Sequence, residues 1–331
     1  MKALVALGIL SALLGSDEKK LVPAVCPVDG TKFTAIEIAY TNQWGGLDAD
    51  FCAHAFKTTP LEYYVWTCPA CGFTGRKKDY GLKLADGERQ ALKDGLKPCE
   101  PIRKGAKQSD IPGHVKYDLL AQVARIRGGA PEELGRAWLH AAWSCRQQGA
   151  VDLDDFDEWE ALRSNYGLQQ TPLQLGKKNR TEFELEVARK VEKDIEGRKY
   201  ERGVNRTLAR YLAAHLFRRH GENAEAVRWL QALETMKGEN SVVDDAAGRM
   251  RASIDLEREY QKKALEAYAA ALQKGLADPR SAPEIHYLAG ELHRRTGSPA
   301  EASAAYQKAL DGDGSPALKD LTRRQKALVE K

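Results

Sequence analysis

The sequence predicts a mainly α-helical fold, in which a small β-rich N-terminal module precedes an array of helical repeats. Three observations lead to this prediction. Cysteines, turn residues and β-forming residues are concentrated between residues 21 and 80, whereas an amphipathic helical pattern continues from residue 115 onward. Within the C-terminal part, small and aromatic residues recur at matching places in three successive stretches, which is the signature of a helical-repeat array.

The composition is that of a soluble globular protein. The chain has 331 residues, of which 43% are apolar and 30% charged, so it is long enough for two or three domains. The net charge of +4 is too small to indicate nucleic-acid binding, and acidic and basic residues are interleaved as on solvated helix faces. We therefore expect no nucleic-acid partner.

The first 16 residues have the layout of a bacterial signal peptide, with one lysine, a stretch of apolar and small residues, and a charged run at residues 17–20. The stretch is shorter than the about 20 residues of a membrane-spanning helix, and no later segment is apolar enough to span a membrane. We expect a bacterial protein that is exported, periplasmic or secreted. The alternative is a cytoplasmic protein, because Leu14-Gly15-Ser16 is a poor cleavage site.

The chain divides into five segments. They are a signal peptide at 1–20, a cysteine-containing β-rich module at 21–80, a short helix and linker at 81–114, a helical region with a degenerate repeat at 115–200, and repeats at 201–331. Alternating patterns predict strands at Lys32–Tyr40 and Leu61–Thr67. Helical patterns predict helices at Ala85–Lys93, Val115–Arg127, Pro131–Gln148 and Thr181–Lys199, with a polar loop at 163–179.

The repeats begin at Thr207, Asp245 and Pro283, which are spaced by 38 residues. A small residue, a large apolar residue and a second apolar residue recur in the second half of each unit. They are Ala226, Leu230 and Leu233 in the first unit, Ala264, Tyr268 and Ala271 in the middle unit, and Ala302, Tyr306 and Ala309 in the third. Gly221 and Gly297 stand at the turn between paired helices, where a positive φ is needed, and Glu259 takes that place in the middle unit. Trp138, Ala142 and Gly149 fit a fourth, degenerate unit.

These units resemble tetratricopeptide repeats, most clearly in the third unit through Gly290, Gly297, Ala302, Tyr306 and Ala309. The alternative is an irregular helical bundle. The resemblance implies that the first helix of each pair lines a concave face. Carried over by position, that face contains Tyr211, His215, Arg218, Arg219, Arg249, Tyr287, Arg294 and Arg295. Paired arginines with tyrosines suit an extended, acidic peptide, although arginines can also simply keep an exposed helix soluble.

Four of the six cysteines fall within the first 71 residues, which points to a metal site rather than a disulfide scaffold. Cys68-Pro-Ala-Cys71-Gly72 has the spacing of a zinc knuckle, in which two thiolates bind one tetrahedral ion from a tight turn. Cys26-Pro-Val-Asp29-Gly30 has the same form, with Asp in place of the second Cys. The sequence therefore predicts a structural Zn²⁺ site with Cys26, Cys68 and Cys71 as ligands.

The fourth ligand remains open between Cys52 and Asp29, with His54 as a further candidate. Asp29 has the correct spacing, whereas Cys52 supplies another thiolate between the two predicted strands. The alternative is that the cysteine turn binds no metal, and either keeps its fold without an ion or forms a disulfide. Export to an oxidising compartment would favour this alternative.

The whole arrangement resembles a bacterial family of uncharacterised proteins, the domain of unknown function 2225. The residues that carry the resemblance are Cys26–Gly30, the segment Asp48–Cys52, the stretch Tyr63–Gly72 and the helix that contains Gly135–Cys145. The resemblance implies a zinc-ribbon-like module followed by helical repeats, and it implies no activity.

The sequence contains no catalytic motif such as His-Glu-x-x-His, a phosphate loop or Gly-x-Ser-x-Gly. We therefore expect a non-catalytic, partner-binding scaffold or adaptor whose partner is a protein or peptide. One alternative is a thiol redox or metal-handling protein that uses Cys68 and Cys71. A nucleic-acid-binding zinc ribbon is a weaker alternative, because residues 21–80 lack a concentrated basic face.

Overall fold

A computed structural model describes residues 19–38, 46–55, 60–98, 100–103, 105–153, 156–170, 180–275, 278 and 280–330. These residues form two compact units. The first contains the described residues before 39 and residues 54–144, and the second contains residues 46–53 and the described residues from 145 onward. The predicted signal peptide, Tyr40 and Cys99 lie outside the described residues.

The first unit begins with an antiparallel hairpin. Strand β1 (Lys19–Val25) pairs with β2 (Lys32–Ile38) in a register that joins Lys19 to Ile38 and Val25 to Lys32. A second short pair joins β5 (Trp66–Thr67) to β6 (Thr74–Gly75). Each pair is closed by a turn that begins with a cysteine, so the two hairpins place Cys26 and Cys68 at equivalent positions. The strands β3 (Gly46–Leu47) and β4 (Ala53–His54) flank the segment Asp48–Cys52.

The two cysteine hairpins pack around Tyr80. Its ring contacts those of Phe33, Trp66 and Phe73, with centroids 5.5–5.6 Å apart. The Tyr80 hydroxyl lies 2.7 Å from the Trp66 carbonyl oxygen and 2.9 Å from that of Phe73. The Tyr80 side chain therefore packs against both hairpins and is hydrogen-bonded to the backbone of the second one.

The predicted strand Leu61–Thr67 is wrong over most of its length. Residues Pro60–Tyr63 form a 3₁₀ turn, and only Trp66–Thr67 are extended. The reason is tertiary, because the Tyr117 hydroxyl donates to the Leu61 carbonyl oxygen at 2.8 Å. The Tyr117 side chain thus provides the hydrogen bond that the Leu61 carbonyl oxygen would otherwise receive from a neighbouring strand.

The helices predicted before the repeats are confirmed to within a few residues. They are α1 (Asp86–Gly95), α2 (Gly113–Ile126), α3 (Pro131–Gly149) and α5 (Arg180–Glu196). An additional helix, α4 (Asp157–Asn165), was not predicted and overlaps the start of the expected polar loop. The degenerate repeat proposed around Trp138, Ala142 and Gly149 lies within the single continuous helix α3.

The first and third repeat units are helix pairs. They consist of α6 (Asn205–Arg219) with α7 (Asn223–Glu234), and of α9 (Ala282–Thr296) with α10 (Pro299–Asp311). The turns contain Gly221 and Gly297, whose φ angles of 73° and 88° are in the left-handed region. The predicted glycine turns are therefore confirmed in these two units.

The middle unit departs from the repeat pattern, because it is one helix of 33 residues, α8 (Ser241–Gln273). Glu259 occupies the place of the turn glycine and continues the helix, since a residue with a Cβ disfavours the left-handed conformation. Ala264, Tyr268 and Ala271 still face the core, and each is fully buried. A further helix, α11 (Pro316–Val329), ends the array and lies beyond the recurring pattern.

The fold class is therefore confirmed as mainly α-helical with a small β-rich N-terminal region. The core of the second unit is centred on α6, where Leu208, Tyr211 and Leu212 are fully buried. Among the described residues, no helix is both long enough and apolar enough to cross a membrane.

Candidate metal centre

Two turns of the first unit have the same backbone geometry. In the first, the Gly30 N–H donates to the Cys26 carbonyl oxygen and the Cys26 N–H to that of Thr31. In the second, the Gly72 N–H donates to the Cys68 carbonyl oxygen and the Cys68 N–H to that of Phe73. Both glycines have a positive φ, 75° and 77°, which explains why glycine follows each turn. The two turns are thus a structurally matched pair.

The matched turns bring three thiols and one carboxylate together. The ligand atoms of Cys26, Asp29, Cys68 and Cys71 all lie within 4.8 Å of one another. The Sγ atoms of Cys26 and Cys71 are 3.6 Å apart, and the Cys68 Sγ lies 3.7 and 3.8 Å from the two Asp29 oxygens. A disulfide would require about 2.05 Å. Tetrahedral zinc with bonds of about 2.3 Å to sulfur places two sulfurs about 3.8 Å apart, so the donors fit one such ion.

The cluster is asymmetric in its burial. Cys26 and Cys68 are buried among Val28, Phe73 and Leu92, Cys71 is half-buried, and Asp29 is exposed. The Asp29 Oδ1 accepts a hydrogen bond of 2.9 Å from the Thr31 N–H, which orients the carboxylate within its own turn. The thiols therefore form the closed side of the cluster and the carboxylate its solvent-facing side.

Hydrogen bonding among the thiols favours one thiolate. The thiols of Cys26 and Cys71 donate toward the Cys68 sulfur and lower the pKa of Cys68 to about 2. The hydrogen bond with Cys68 raises the pKa of Cys26 to about 12, and hydrogen bonds with Cys26 and then Cys68 raise the pKa of Cys71. Binding of a divalent cation to such a group displaces the remaining thiol protons.

The structure places the candidates for the fourth ligand in different surroundings. Asp29 joins the three cysteines, whereas Cys52 does not, because residues 46–53 belong to the second unit. There the buried Cys52 Sγ lies 3.5 Å from the Gln147 amide nitrogen, and burial raises the pKa of its thiol well above the usual value. His54 is also outside the cluster of described ligand atoms. Cys145 is a buried free thiol of the second unit.

Most of the residues predicted for a peptide groove lie inside the second unit. Tyr211, His215, Arg218, Tyr287 and Arg295 are buried, Arg219 and Arg294 are mostly buried, and Arg249 is exposed. Buried carboxylates account for this placement, because Arg218 pairs with Glu257 and Arg219 with Glu184. Arg294 likewise pairs with Glu291 and Glu222. Helical position alone does not reveal such acidic partners. The predicted open groove is wrong, because most of its residues lie in a packed interior.

The fold and this cluster define a class of protein in which a cysteine–aspartate module precedes a helical array. A family model described as an uncharacterized protein conserved in bacteria (DUF2225) matches residues 22–254 and 249–329. The chain therefore belongs to this family, as its resemblance predicted. No curated protein and no solved structure matches the chain.

Proposed function

We propose that the protein is a non-catalytic, protein-binding scaffold whose N-terminal module is stabilised by a structural Zn²⁺ ion. The observation that carries the metal assignment is the geometry of the two matched turns. They hold three sulfurs and one carboxylate within 4.8 Å of one another, and the Cys26–Cys71 and Cys68–Asp29 separations of 3.6–3.8 Å are close to the edges of a zinc tetrahedron. Four protein ligands leave no open position for a substrate, which is the arrangement of structural rather than catalytic zinc sites.

The binding role rests on the second unit. Two of its three repeat units are helix pairs with small residues at the packing positions, as in tetratricopeptide-like arrays, which present extended surfaces to partners. The absence of any recognised catalytic motif from the sequence agrees with this role. The proposal includes export, for which the composition of residues 1–20 is the support.

The metal assignment is tested by metal analysis and thiol counting on the purified full-length chain. We expect one zinc per chain, and cluster thiols that react with a thiol reagent only after chelation. Cys68→Ser should lose the zinc, whereas Cys145→Ala, which removes a buried thiol of the second unit, should retain it. A metal-free protein with a reducible Cys68–Cys71 bond would refute the zinc assignment and support the redox alternative.

The scaffold role is tested by affinity purification of the tagged chain from its native host, followed by reconstitution from purified components. We expect a complex of fixed stoichiometry, which forms again after zinc has been removed from the protein and restored. If every candidate partner fails to reconstitute and the purified chain instead turns over a thiol–disulfide substrate, the scaffold role is refuted.

A further inference from the structure

The segment of residues 46–53 is packed into the second unit as a tight turn. The Asp48 N–H donates to the Cys52 carbonyl oxygen and the Phe51 N–H to that of Asp48, both at 2.9 Å, and Phe51 has a left-handed φ of 67°. Its neighbours in sequence on the C-terminal side, from His54 onward, belong to the first unit. Within the segment, Asp48, Asp50 and Cys52 are 2%, 0% and 0% exposed. Two carboxylates that are buried this deeply require specific partners, because an unpaired charge in a protein interior is very costly.

Cations of the second unit bind both carboxylates. Arg146 Nη1 lies 2.8 Å from Asp48 and 3.0 Å from Asp50, and its Nη2 lies 2.7 Å from the other Asp50 oxygen. His220 Nδ1 lies 2.8 Å from Asp48, and Arg295 Nη2 lies 3.5 Å from Asp50. The forked contact of Arg146 with Asp50 is the geometry by which guanidinium groups recognise carboxylates.

The backbone and the aromatic side chain of the segment are recognised as well. The carbonyl oxygens of Leu47, Ala49 and Ala53 accept hydrogen bonds from three side chains of the second unit. The donors are Thr181 at 3.3 Å, Tyr287 at 2.5 Å and Gln147 at 2.8 Å. The Phe51 ring lies 5.2 Å from the Tyr287 ring, centroid to centroid. Carbonyl, carboxylate and aromatic contacts together recognise both the backbone and the side chains of the segment.

The cations keep buried acidic partners of their own, which do not belong to the segment. Arg146 Nη2 lies 2.7 Å from Glu257, and His220 Nε2 lies 2.8 Å from Glu184. Arg295 Nε lies 3.5 Å from Glu291. Departure of the segment would therefore leave each cation with a carboxylate partner. The binding surface is preorganised by the helices rather than by the segment.

We propose that these residues form a peptide-recognition site, and that residues 46–53 fill it as an intramolecular ligand. The partner that fits the site is a protein that presents Asp-x-Asp followed by an aromatic residue in the same turn conformation, and it binds by exchange with the segment. This inference rests on the proposed scaffold function and specifies the chemistry of its partner. The intramolecular segment acts at an effective concentration of about millimolar, so it weakens binding of a free peptide until it is released.

The test uses the full-length chain and a labelled peptide with the sequence of residues 46–53, Gly-Leu-Asp-Ala-Asp-Phe-Cys-Ala, blocked at both ends. The Asp48→Asn/Asp50→Asn variant has a weakened internal ligand. Fluorescence anisotropy should show that it binds the peptide at least about tenfold more tightly than the wild type. A peptide with Asn at both Asp positions should not bind. Adding Arg295→Gln to the variant should weaken binding, whereas Arg249→Gln, which changes an exposed arginine of α8, should not.

A Phe51→Ala variant provides the same test with all charges retained, in case the double variant does not fold. It should also bind the peptide more tightly than the wild type, because only the aromatic contact of the internal ligand is lost. If Phe51→Ala has the wild-type helical circular dichroism spectrum and binds no peptide at millimolar concentration, the segment is a fixed part of the core and the inference is wrong. If that variant still binds zinc and still forms the reconstituted partner complex, the proposed scaffold function holds. Failure of the peptide-site inference can therefore be told apart from failure of the scaffold proposal.

Discussion

The guanidinium group of Arg146 binds both carboxylate oxygens of Asp50, although the two residues are 96 positions apart in the sequence. Both side chains are 0% exposed, and the same guanidinium contacts Asp48 and Glu257. Three buried carboxylates therefore share one cation, in addition to the separate contacts of Asp48 with His220, of Asp50 with Arg295 and of Glu257 with Arg218. The pKa values of Asp50 and Glu257 reflect these ion pairs. Burial alone would raise both values, but the nearby arginines outweigh burial and hold them below their usual range.

Replacement of Arg146 by Met should strongly destabilise the second unit. The substitution keeps much of the side-chain volume but leaves buried carboxylates without their main counter-charge, which costs about 3–5 kcal/mol in comparable cases. Urea unfolding followed by circular dichroism measures the change. The matched control is Arg136→Met on the same helix, whose half-exposed pair with Glu132 should contribute less than about 1 kcal/mol. Equal effects of the two substitutions would show that the buried network is not a major source of stability.

This network also marks the limit of what the sequence predicts. The two turns at Cys26 and Cys68 are local, and each contains its own cysteine and glycine, so their pairing follows from the pattern. The choice between Asp29 and Cys52 depends instead on which unit residues 46–53 join. That choice is set by contacts with Arg146 and His220, which are 96 and 172 positions distant from their partners in the segment.

The repeat pattern shows a similar limit. Small and aromatic residues at Ala264, Tyr268 and Ala271 are buried in the middle unit just as their counterparts are in the others. The repeat pattern indicates which positions face the core. That pattern is the same for a pair of helices joined by a turn and for one continuous helix such as α8. A residue that differs between the two cases is Glu259, which lies within the 33-residue helix α8 where the other units have a turn glycine.

Asp29→Cys should bind zinc more tightly than the wild type. The substitution converts three thiolates and a carboxylate into four thiolates, one of the usual ligand sets of structural zinc sites. Competition with a chromogenic chelator measures the affinity. Asp86→Cys is the control for an added thiol, because Asp86 is exposed and belongs to α1 rather than to the cluster. Unchanged zinc retention in Asp29→Cys would indicate that position 29 is not a ligand.

Two buried histidines of the second unit should give stability opposite pH dependences. For His220, burial opposes the charged form, but hydrogen bonds to Asp48 and Glu184 outweigh it and raise the pKa. Its contribution is therefore complete below about pH 6.5, the unfolded pKa, and is lost as the pH rises through the folded pKa. For His215, burial lowers the pKa to about 4, so its contribution is complete above about pH 6.5 and is lost as the pH falls toward 4.

Urea unfolding of His220→Gln and His215→Gln between pH 5 and pH 9 separates the two effects. The free-energy difference between wild type and His220→Gln should shrink as the pH increases above neutrality. The difference for His215→Gln should shrink as the pH decreases below about 6.5. Parallel pH profiles for the two variants would contradict the assigned protonation states.

Gly290→Ala should destabilise the third repeat unit. A Cβ at this position would lie 2.5 Å from the ring of Tyr306, which is fully buried between the two helices of the pair. Overpacking of this kind costs about 1–3 kcal/mol, which exceeds the gain in helix propensity of about 1 kcal/mol. Gly248→Ala in α8 has nothing within 4 Å of the added Cβ and should instead stabilise the protein by up to about 1 kcal/mol. Thermal unfolding of both variants should therefore shift the midpoint in opposite directions, and a stabilised Gly290→Ala would show that α9 and α10 are not packed as closely as the structure indicates.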